Sequence, residues 1–246
     1  MKTINRYLDA IDQTLQKVRA TQLSNMEKAA QLLAQATVAG QNLFVFGCNH
    51  AGLLALELYY RTGGMVNMNP VRGSGLHLEV TPATLSSEME RLNDYGRLLI
   101  QHTPIKKGDV IIIHSVSGRN TVTVDAALAA RELGATVIAL TNMETTKAVA
   151  SRHPSGLHLY EAADLTIDNC GCVGDAALTI DGLAAHVGPT STAVGAAILN
   201  AVISEAIEQI TLLGHEAPVF ISANIDGGDE HNRIVLDAYK EHIFYM

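Results

Sequence analysis

Short runs that are apolar at nearly every residue, separated by stretches of helix length, constrain this chain more than any other feature. Residues 42–46, 65–68, 110–114 and 137–140 each read as a β-strand ending in Gly, Asn, Ser or Thr, and a fifth strand is expected at 165–168. A strand without a polar face has to be covered on both sides, and the arrangement that does so is a parallel sheet with helices on each face. The fold class expected is therefore α/β, a three-layer α/β/α sandwich around a mostly parallel, doubly wound sheet of five strands.

The flanking segments fit the same plan. Ile4, Leu8, Ile11, Leu15 and Val18 recur at helical spacing, and Met26, Ala29, Ala30, Leu33 and Ala36 repeat the pattern after a break near Ser24, so two helices open the chain before Gly40. Beyond the sheet, 177–180 and 184–187 flank Asp181-Gly182 as a hairpin signal. A long helix is expected from Thr190 or Ser191, just after Pro189, to Leu213. An apolar run at 219–222, the turn Asp226-Gly227-Gly228-Asp229 and a terminal helix reaching Ile243 complete the chain. No linker, repeat or composition shift divides it. One domain over 1–246 is expected, with a helical segment at 1–39, a sheet core at 41–170, and hairpin, late helix and tail at 176–246.

Charge and composition narrow the function classes. With 17 Lys and Arg against 25 Asp and Glu the formal charge is −8, which offers no basic track for a nucleic-acid backbone. No apolar run approaches the ~18 residues that a membrane span requires, so no membrane partner is expected. The polar, amphipathic start MKTINRYLDAIDQTLQKV lacks the apolar centre of a secretory signal, and a cytoplasmic location follows as the expectation. Cys48 and the lone pair Cys170 and Cys172 lack the further ligands of a zinc site and read as reduced thiols.

The chemistry is expected where loops leave the carboxyl ends of the strands, because helices starting there present free N–H groups and a positive dipole end to anions. Two turns qualify: Phe46-Gly47-Cys48-Asn49-His50-Ala51-Gly52 and His114-Ser115-Val116-Ser117-Gly118-Arg119-Asn120-Thr121. In the second, two hydroxyls, a Gly that admits close backbone approach, and Asn and Thr at the head of the next helix supply short neutral donors suited to a phosphate monoester. The same residues would also serve as a plain turn with an N-cap. Dinucleotide and nucleotide loops are excluded, since neither G-x-G-x-x-G nor G-x-x-x-x-G-K-[ST] occurs at these turns, and no cofactor is expected.

At these turns the sequence resembles the sugar isomerase (SIS) domain family, whose phosphosugar loop reads S-x-S-G-x-[ST]. Ser115, Ser117 and Gly118 match it, and Asn120 stands where Thr or Ser is usual. More narrowly, FGCNHAGLLALELYYRTGG, GDVIIIHSVSGRN, SRHPSGLHLYEAADLTIDN, VGPTSTAVGAAILNAV and PVFISANIDGGDEHN together resemble a group of bacterial stand-alone SIS proteins. That group tends to read F-G-T-G-H-S-H in the first loop; His50 is retained, while Cys48, Asn49, Ala51 and Gly52 depart from it. The resemblance implies the SIS sandwich with flavodoxin-like strand order, a phosphorylated sugar as ligand, and assembly as a homodimer or homotetramer.

It also implies roles. Aldose–ketose isomerisation through an enediolate needs a phosphate anchor, a carboxylate base and a proton donor. The anchor would be Ser115, Ser117, Gly118, Asn120 and Thr121, with Asn49 in the first loop. Glu57 and Arg61, four apart, resemble the E-x-x-x-R stretch of sedoheptulose-7-phosphate isomerases, whose Glu is catalytic; an i,i+4 ion pair on a helix would look the same. His50 would be the acid or ring-opening group. Glu88, beside Arg91, is a further catalytic candidate on a charged helix. Ser191 and Thr192, in the cluster that opens the late helix, would reach the ligand or merely cap the helix. The late-helix His of those isomerases aligns with Asn200. His153 reads as a turn residue, and Asp226, Asp229 and His231 as a turn capping the last helix rather than a metal site. A sugar-phosphate isomerase is the first expectation; a phosphosugar sensor, an amino-sugar-phosphate deaminase and an ether lyase are the alternatives.

Overall fold

The computed structural model describes residues 2–246. Helices α1 (Thr3–Thr21) and α2 (Leu23–Val38) precede β1 (Leu43–Gly47), which leads through a 3-10 turn at Asn49–Ala51 into α3 (Gly52–Leu58). There follow β2 (Met68–Pro70), α4 (Thr84–Met89), α5 (Tyr95–Gln101), β3 (Val110–His114), α6 (Thr121–Glu132), β4 (Thr136–Thr141), α7 (Met143–Ala148), α8 (Leu159–Ala162) and β5 (Leu165–Asp168). A small ribbon of β6 (Ala176–Leu178) and β7 (Val187–Pro189), the long α9 (Ser191–Leu212) and α10 (Gly228–Ala238) end the chain.

The five strands form one parallel sheet in the order β2-β1-β3-β4-β5, the doubly wound arrangement expected. Alternate residues of each strand feed two separate cores. Leu43, Val45, Val110, Ile112, Ile138 and Leu140 meet α2, α3 and α9 on one face. Phe44, Phe46, Ile111, Ile113, Val137 and Ala139 meet α5, α6 and α8 on the other. Both sets are buried, which is why these runs carry no polar positions.

Three expectations shift in detail. The run at 65–68 is buried, but Val66 N–H donates to the Pro218 carbonyl (2.8 Å) and Met65 bridges Val219, so only Met68–Pro70 pairs with β1. The apolar run at 219–222 supplies Val219 to that bridge. The hairpin forms with pairs Ala176↔Pro189 and Leu178↔Val187, so it keeps the outer ends of the expected arms and extends beyond them, while the residues nearer the turn, where Ile180 and Leu183 stay exposed, do not pair. The last helix stops at Ala238 and continues only as a 3-10 turn at Lys240–His242.

Helix α9 departs from the expectation that no stretch reaches membrane-spanning length. Its 22 residues contain an 18-residue stretch of mean hydropathy 1.3, long and apolar enough by length and composition to cross a bilayer. Here Val194, Ile198, Leu199, Val202, Ile203 and Ala206 are packed into the core against α2 and α3 instead.

Candidate functional site

The strand order reverses between β1 and β3, and ligands of open α/β sheets bind outside the carboxyl ends of the strands at such a switch point. Gly47 and His114 are register partners at that edge, so the two loops singled out in the sequence leave the sheet side by side.

The second loop is held from below. Thr141 Oγ1 donates to the Ser115 carbonyl (2.7 Å), Thr146 Oγ1 donates to the Ser117 carbonyl, and Leu159 N–H donates to the Gly118 carbonyl (2.8 Å). Ser115 Oγ accepts the Gly118 N–H at 3.2 Å and lies buried. Gly118 sits at φ +59°, and a Cβ there would stand 2.8 Å from Thr146 Oγ1, so this position admits only glycine without displacement. The Ser117 side chain is half-buried, and the loop engages only its carbonyl.

At the head of α6, Asn120 occupies the N-cap position without capping. Its Oδ1 accepts from Arg152 Nη1 at 2.6 Å. Thr121 is buried and donates its hydroxyl proton to the Arg91 carbonyl at 3.2 Å, so it fastens the segment after α4 to α6. Arg91, Arg119 and Arg152 gather here, and no carboxylate lies within 4.0 Å of any of them among the described residues. Burial and the neighbouring Arg119 and Arg91 guanidinium groups lower the Arg152 pKa. In a chain of formal charge −8, this local excess of positive charge suits an anion.

In the first loop Asn49 takes φ 52°, the left-handed conformation for which the resembling group uses Gly and which Asn tolerates. Its N–H donates to the Leu76 carbonyl at 2.7 Å, tying the loop to the segment after β2. His50 is exposed on the 3-10 turn. Cys48 is buried, and desolvation, aided by the Glu90 charge, pushes its thiol pKa far up, so it is an inert core thiol.

Glu57 lies five residues into α3, ~7.5 Å along the helix from its start. It is ion-paired to Arg61 and accepts from Asn200 Nδ2 at 2.9 Å, so the α9 residue that aligns with the isomerase His does face this carboxylate. The helix ends at Leu58 and Tyr60 turns left-handed, so the pair forms beyond the helix rather than along it. Glu88 is exposed on α4. Ser191 is turned inward: its N–H donates to Asp175 Oδ1 at 2.8 Å and its hydroxyl donates to Asp175 Oδ2, while Thr192 is half-buried one residue on.

Several residues around the crevice escape a reading by motif. Glu90, two residues past Glu88, faces the side-chain amides of Asn49 and Asn120, one from each loop. Burial raises its pKa, opposed by those amides and by Arg91 and Arg152. His114 is fully buried beneath the loops, its Nδ1 3.1 Å from the Ala51 carbonyl; desolvation lowers its pKa to about 4, so it is a neutral brace. His153 is held with Nε2 2.9 Å from Asp125 of α6 and Nδ1 2.6 Å from Ser155, fixing the turn that carries Arg152. The E-R dipeptide at 90–91 was the one available signal for Glu90, and it looks like any charged helix end. His231 spends its Nε2 on the Val219 carbonyl (2.9 Å), inside the C-terminal lobe. A separate open cavity of about 570 Å³, lined in part by Tyr60, Phe220, Asn232 and Arg233, lies between the end of α3 and α10.

Comparison with known proteins agrees with this geometry. A family model described as the SIS domain matches residues 6–142. A UPF0309 protein of Shouchella clausii is 44% identical over 246 residues, covering 100% of both chains, and one of Oceanobacillus iheyensis is 42% identical over the same span. Among solved structures, a phosphoheptose isomerase from Francisella tularensis is similar with TM-score 0.54 at 15% identity, covering 85% of this chain and 100% of that one. The Vibrio vulnificus NanR protein complexed with ManNAc-6P is similar with TM-score 0.52 at 12% identity, covering 98% of this chain and 69% of that one. At such identities the structural matches show the fold.

Proposed function

Because the chain belongs to the SIS domain family, we propose that it binds a phosphorylated sugar at the switch point between β1 and β3 and isomerises it between aldose and ketose through an enediolate. The observation that carries this reading is the Ser115-Val116-Ser117-Gly118 loop: rigidly held through its carbonyls, it leaves for a phosphate the Ser117 hydroxyl and, at the head of α6, the N–H groups other than that of Val122, which Glu90 takes. Asn120, Asn49 and the adjacent guanidinium groups would add donors, as neutral and charged hydrogen bonds to phosphate do elsewhere. Glu57 is the base in this reading. Its hydrogen bond from Asn200 fixes the carboxylate orientation, and Arg61 anchors it. His50, exposed at the rim, would serve ring opening, and Thr192 would reach the ligand from the start of α9, where the Ser191 hydroxyl is already committed to Asp175.

A non-catalytic binding role is the second reading, and one residue favours it. Asn200 faces Glu57 where the resembling isomerases carry His, and an amide does not transfer protons as an imidazole does. The implied homo-oligomer would bury α1's exposed Ile4 and Leu8 and the outer face of α3, where Leu53 and Leu56 are exposed. The protein would act in the cytoplasm.

The test is a melting-temperature screen against hexose, pentose, heptose and amino-sugar phosphates, beside the same sugars without phosphate. A ligand at ~100 Kd adds about 2.7 kcal/mol, a readable shift. A stabilisation specific to the phosphorylated forms and lost in Ser117→Ala supports the cradle, and turnover of that compound, lost in Glu57→Gln, supports isomerisation. No shift across the panel with folded protein overturns the phosphosugar reading; a shift without turnover leaves the binding role.

A further inference from the structure

An enediolate route needs, besides a base for carbon, a group that protonates one sugar oxygen and deprotonates its neighbour. The switch point holds a carboxyl for that purpose. The segment following α4 docks on the head of α6, with Val122 N–H donating to the Glu90 carbonyl (3.2 Å) and Thr121 Oγ1 to the Arg91 carbonyl (3.2 Å). On its other side Met89 lies against Gly75, in the segment whose Leu76 carbonyl holds Asn49. The backbone at Glu90 is therefore held against the head of α6, with Met89 beside it packed on the segment after β2, and the half-buried Glu90 carboxyl lies near the side-chain amides of Asn49 and Asn120. Arg152, from the turn before α8, reaches the same point through Asn120.

We infer that Glu90 is the proton donor of this site, passing its carboxyl proton to an oxygen of the phosphosugar held by the Ser115–Asn120 loop. The inference rests on the isomerase reading and adds to it the group that handles the oxygens. Glu90 is half-buried, and burial favours its neutral, proton-bearing form, as a donor requires. The charged and titratable groups around it are Arg91 on its own segment, Arg152, which opposes that effect, and the Cys48 thiol at the end of β1. In an open-chain aldose phosphate, Glu57 takes the C2 proton and the C2–H electron pair becomes the C1=C2 bond. The carbonyl pair moves to O1, which takes the Glu90 proton and gives the enediol. The Glu90 carboxylate then takes the O2 proton as the C2 carbonyl forms, and C1 takes the proton held by Glu57. Both carboxyls return to their starting states, and no co-reactant is consumed.

The experiment compares wild type, Glu90→Gln and Glu90→Asp in D2O with the sugar phosphates of the panel, reading deuterium at C2, turnover against pH, and binding by melting shift. The expected result is Glu90→Gln that binds within about threefold of wild type but turns over at least ~100-fold more slowly, with Glu90→Asp partly restored and a displaced basic limb. Wild-type exchange with Glu90→Gln still within about threefold in turnover overturns the assignment of Glu90 alone, and so does loss of binding and turnover together. If wild type binds without exchange, the isomerase reading and the assignment fall together and binding stands. If Glu90→Gln does not fold, Glu90→Asp decides: a profile with its basic limb unmoved overturns the proposal.

Discussion

Asp175 and Ser191, sixteen residues apart, are joined twice, by the Ser191 N–H to Oδ1 at 2.8 Å and by the Ser191 hydroxyl to Oδ2. Thr190 N–H adds a third bond to the same carboxylate at 3.1 Å. The start of α9 is thus capped from the neighbouring ribbon, not by its own Thr190 side chain, and a carboxylate at a helix N-terminus also meets the positive end of the dipole. Asp175→Ala should cost ~1–2 kcal/mol, roughly 2–8 °C in Tm for a chain of this size, with Asp175→Asn intermediate. An unchanged Tm would show that α9 is held by its packing alone.

Gly96 is where α5 touches α6. A Cβ there would stand 2.0 Å from the Val122 carbonyl oxygen and 2.8 Å from the Ala126 nitrogen, both backbone atoms that cannot swing away. Gly96→Ala should therefore destabilise by ~3 kcal/mol or more, well beyond an ordinary overpacked side chain. Since Val122 also holds Glu90, the same variant should slow turnover in whatever fraction remains folded. Denaturant unfolding with a wild-type midpoint would refute the packing argument.

His114 couples stability to pH. Its pKa falls from 6.5 unfolded to about 4 folded, through desolvation first, with the Ala51 carbonyl and the Asp175 charge acting in the opposite direction. Between these values the unfolded chain binds a proton that the folded one refuses, so His114's contribution is complete above pH 6.5 and is lost as pH falls towards 4. The loss amounts to about 3 kcal/mol at the acid end. Glu90, with its raised pKa, works in the opposite sense, so the comparison to make is wild type against His114→Asn by chemical denaturation at several pH values. The variant should show a shallower slope between pH 6.5 and 4, and equal slopes would remove His114 as the cause.

The anchor loop makes two separable predictions. Ser117→Ala removes a hydroxyl that the fold does not use, so Tm should stay within ~0.5 kcal/mol of wild type while stabilisation by phosphosugar falls at least tenfold in apparent Kd. Gly118→Ala, at φ +59° with Thr146 Oγ1 2.8 Å from the new Cβ, should instead lower stability by ~1–3 kcal/mol before any ligand is added. Two variants with the same Tm and the same binding would contradict the division between a scaffold glycine and a ligand hydroxyl.

The sheet and its loops are legible in the local apolar pattern of the chain. Runs such as Val110–His114, buried at every residue, have only one stable home, between two helical layers, and their small polar ends mark where the chain turns into the crevice. Helix α9 likewise starts and stops within a residue of expectation, because Pro189 and an apolar helical stretch fix it locally. Which groups face one another depends instead on how distant segments pack. Glu88 and Glu90 are two apart near a helix end, and local pattern does not distinguish them. Contacts to Val122 and Asn49, distant in sequence, turn Glu90 to the loops and leave Glu88 in solvent. The cap of α9 by Asp175, the pairing of Met65 with Val219 and the meeting of Asn200 with Glu57 are of the same kind. Burial patterns are written along the chain because each residue's apolarity is its own property. A polar pair exists only when two distant segments dock, so it belongs to the packed structure.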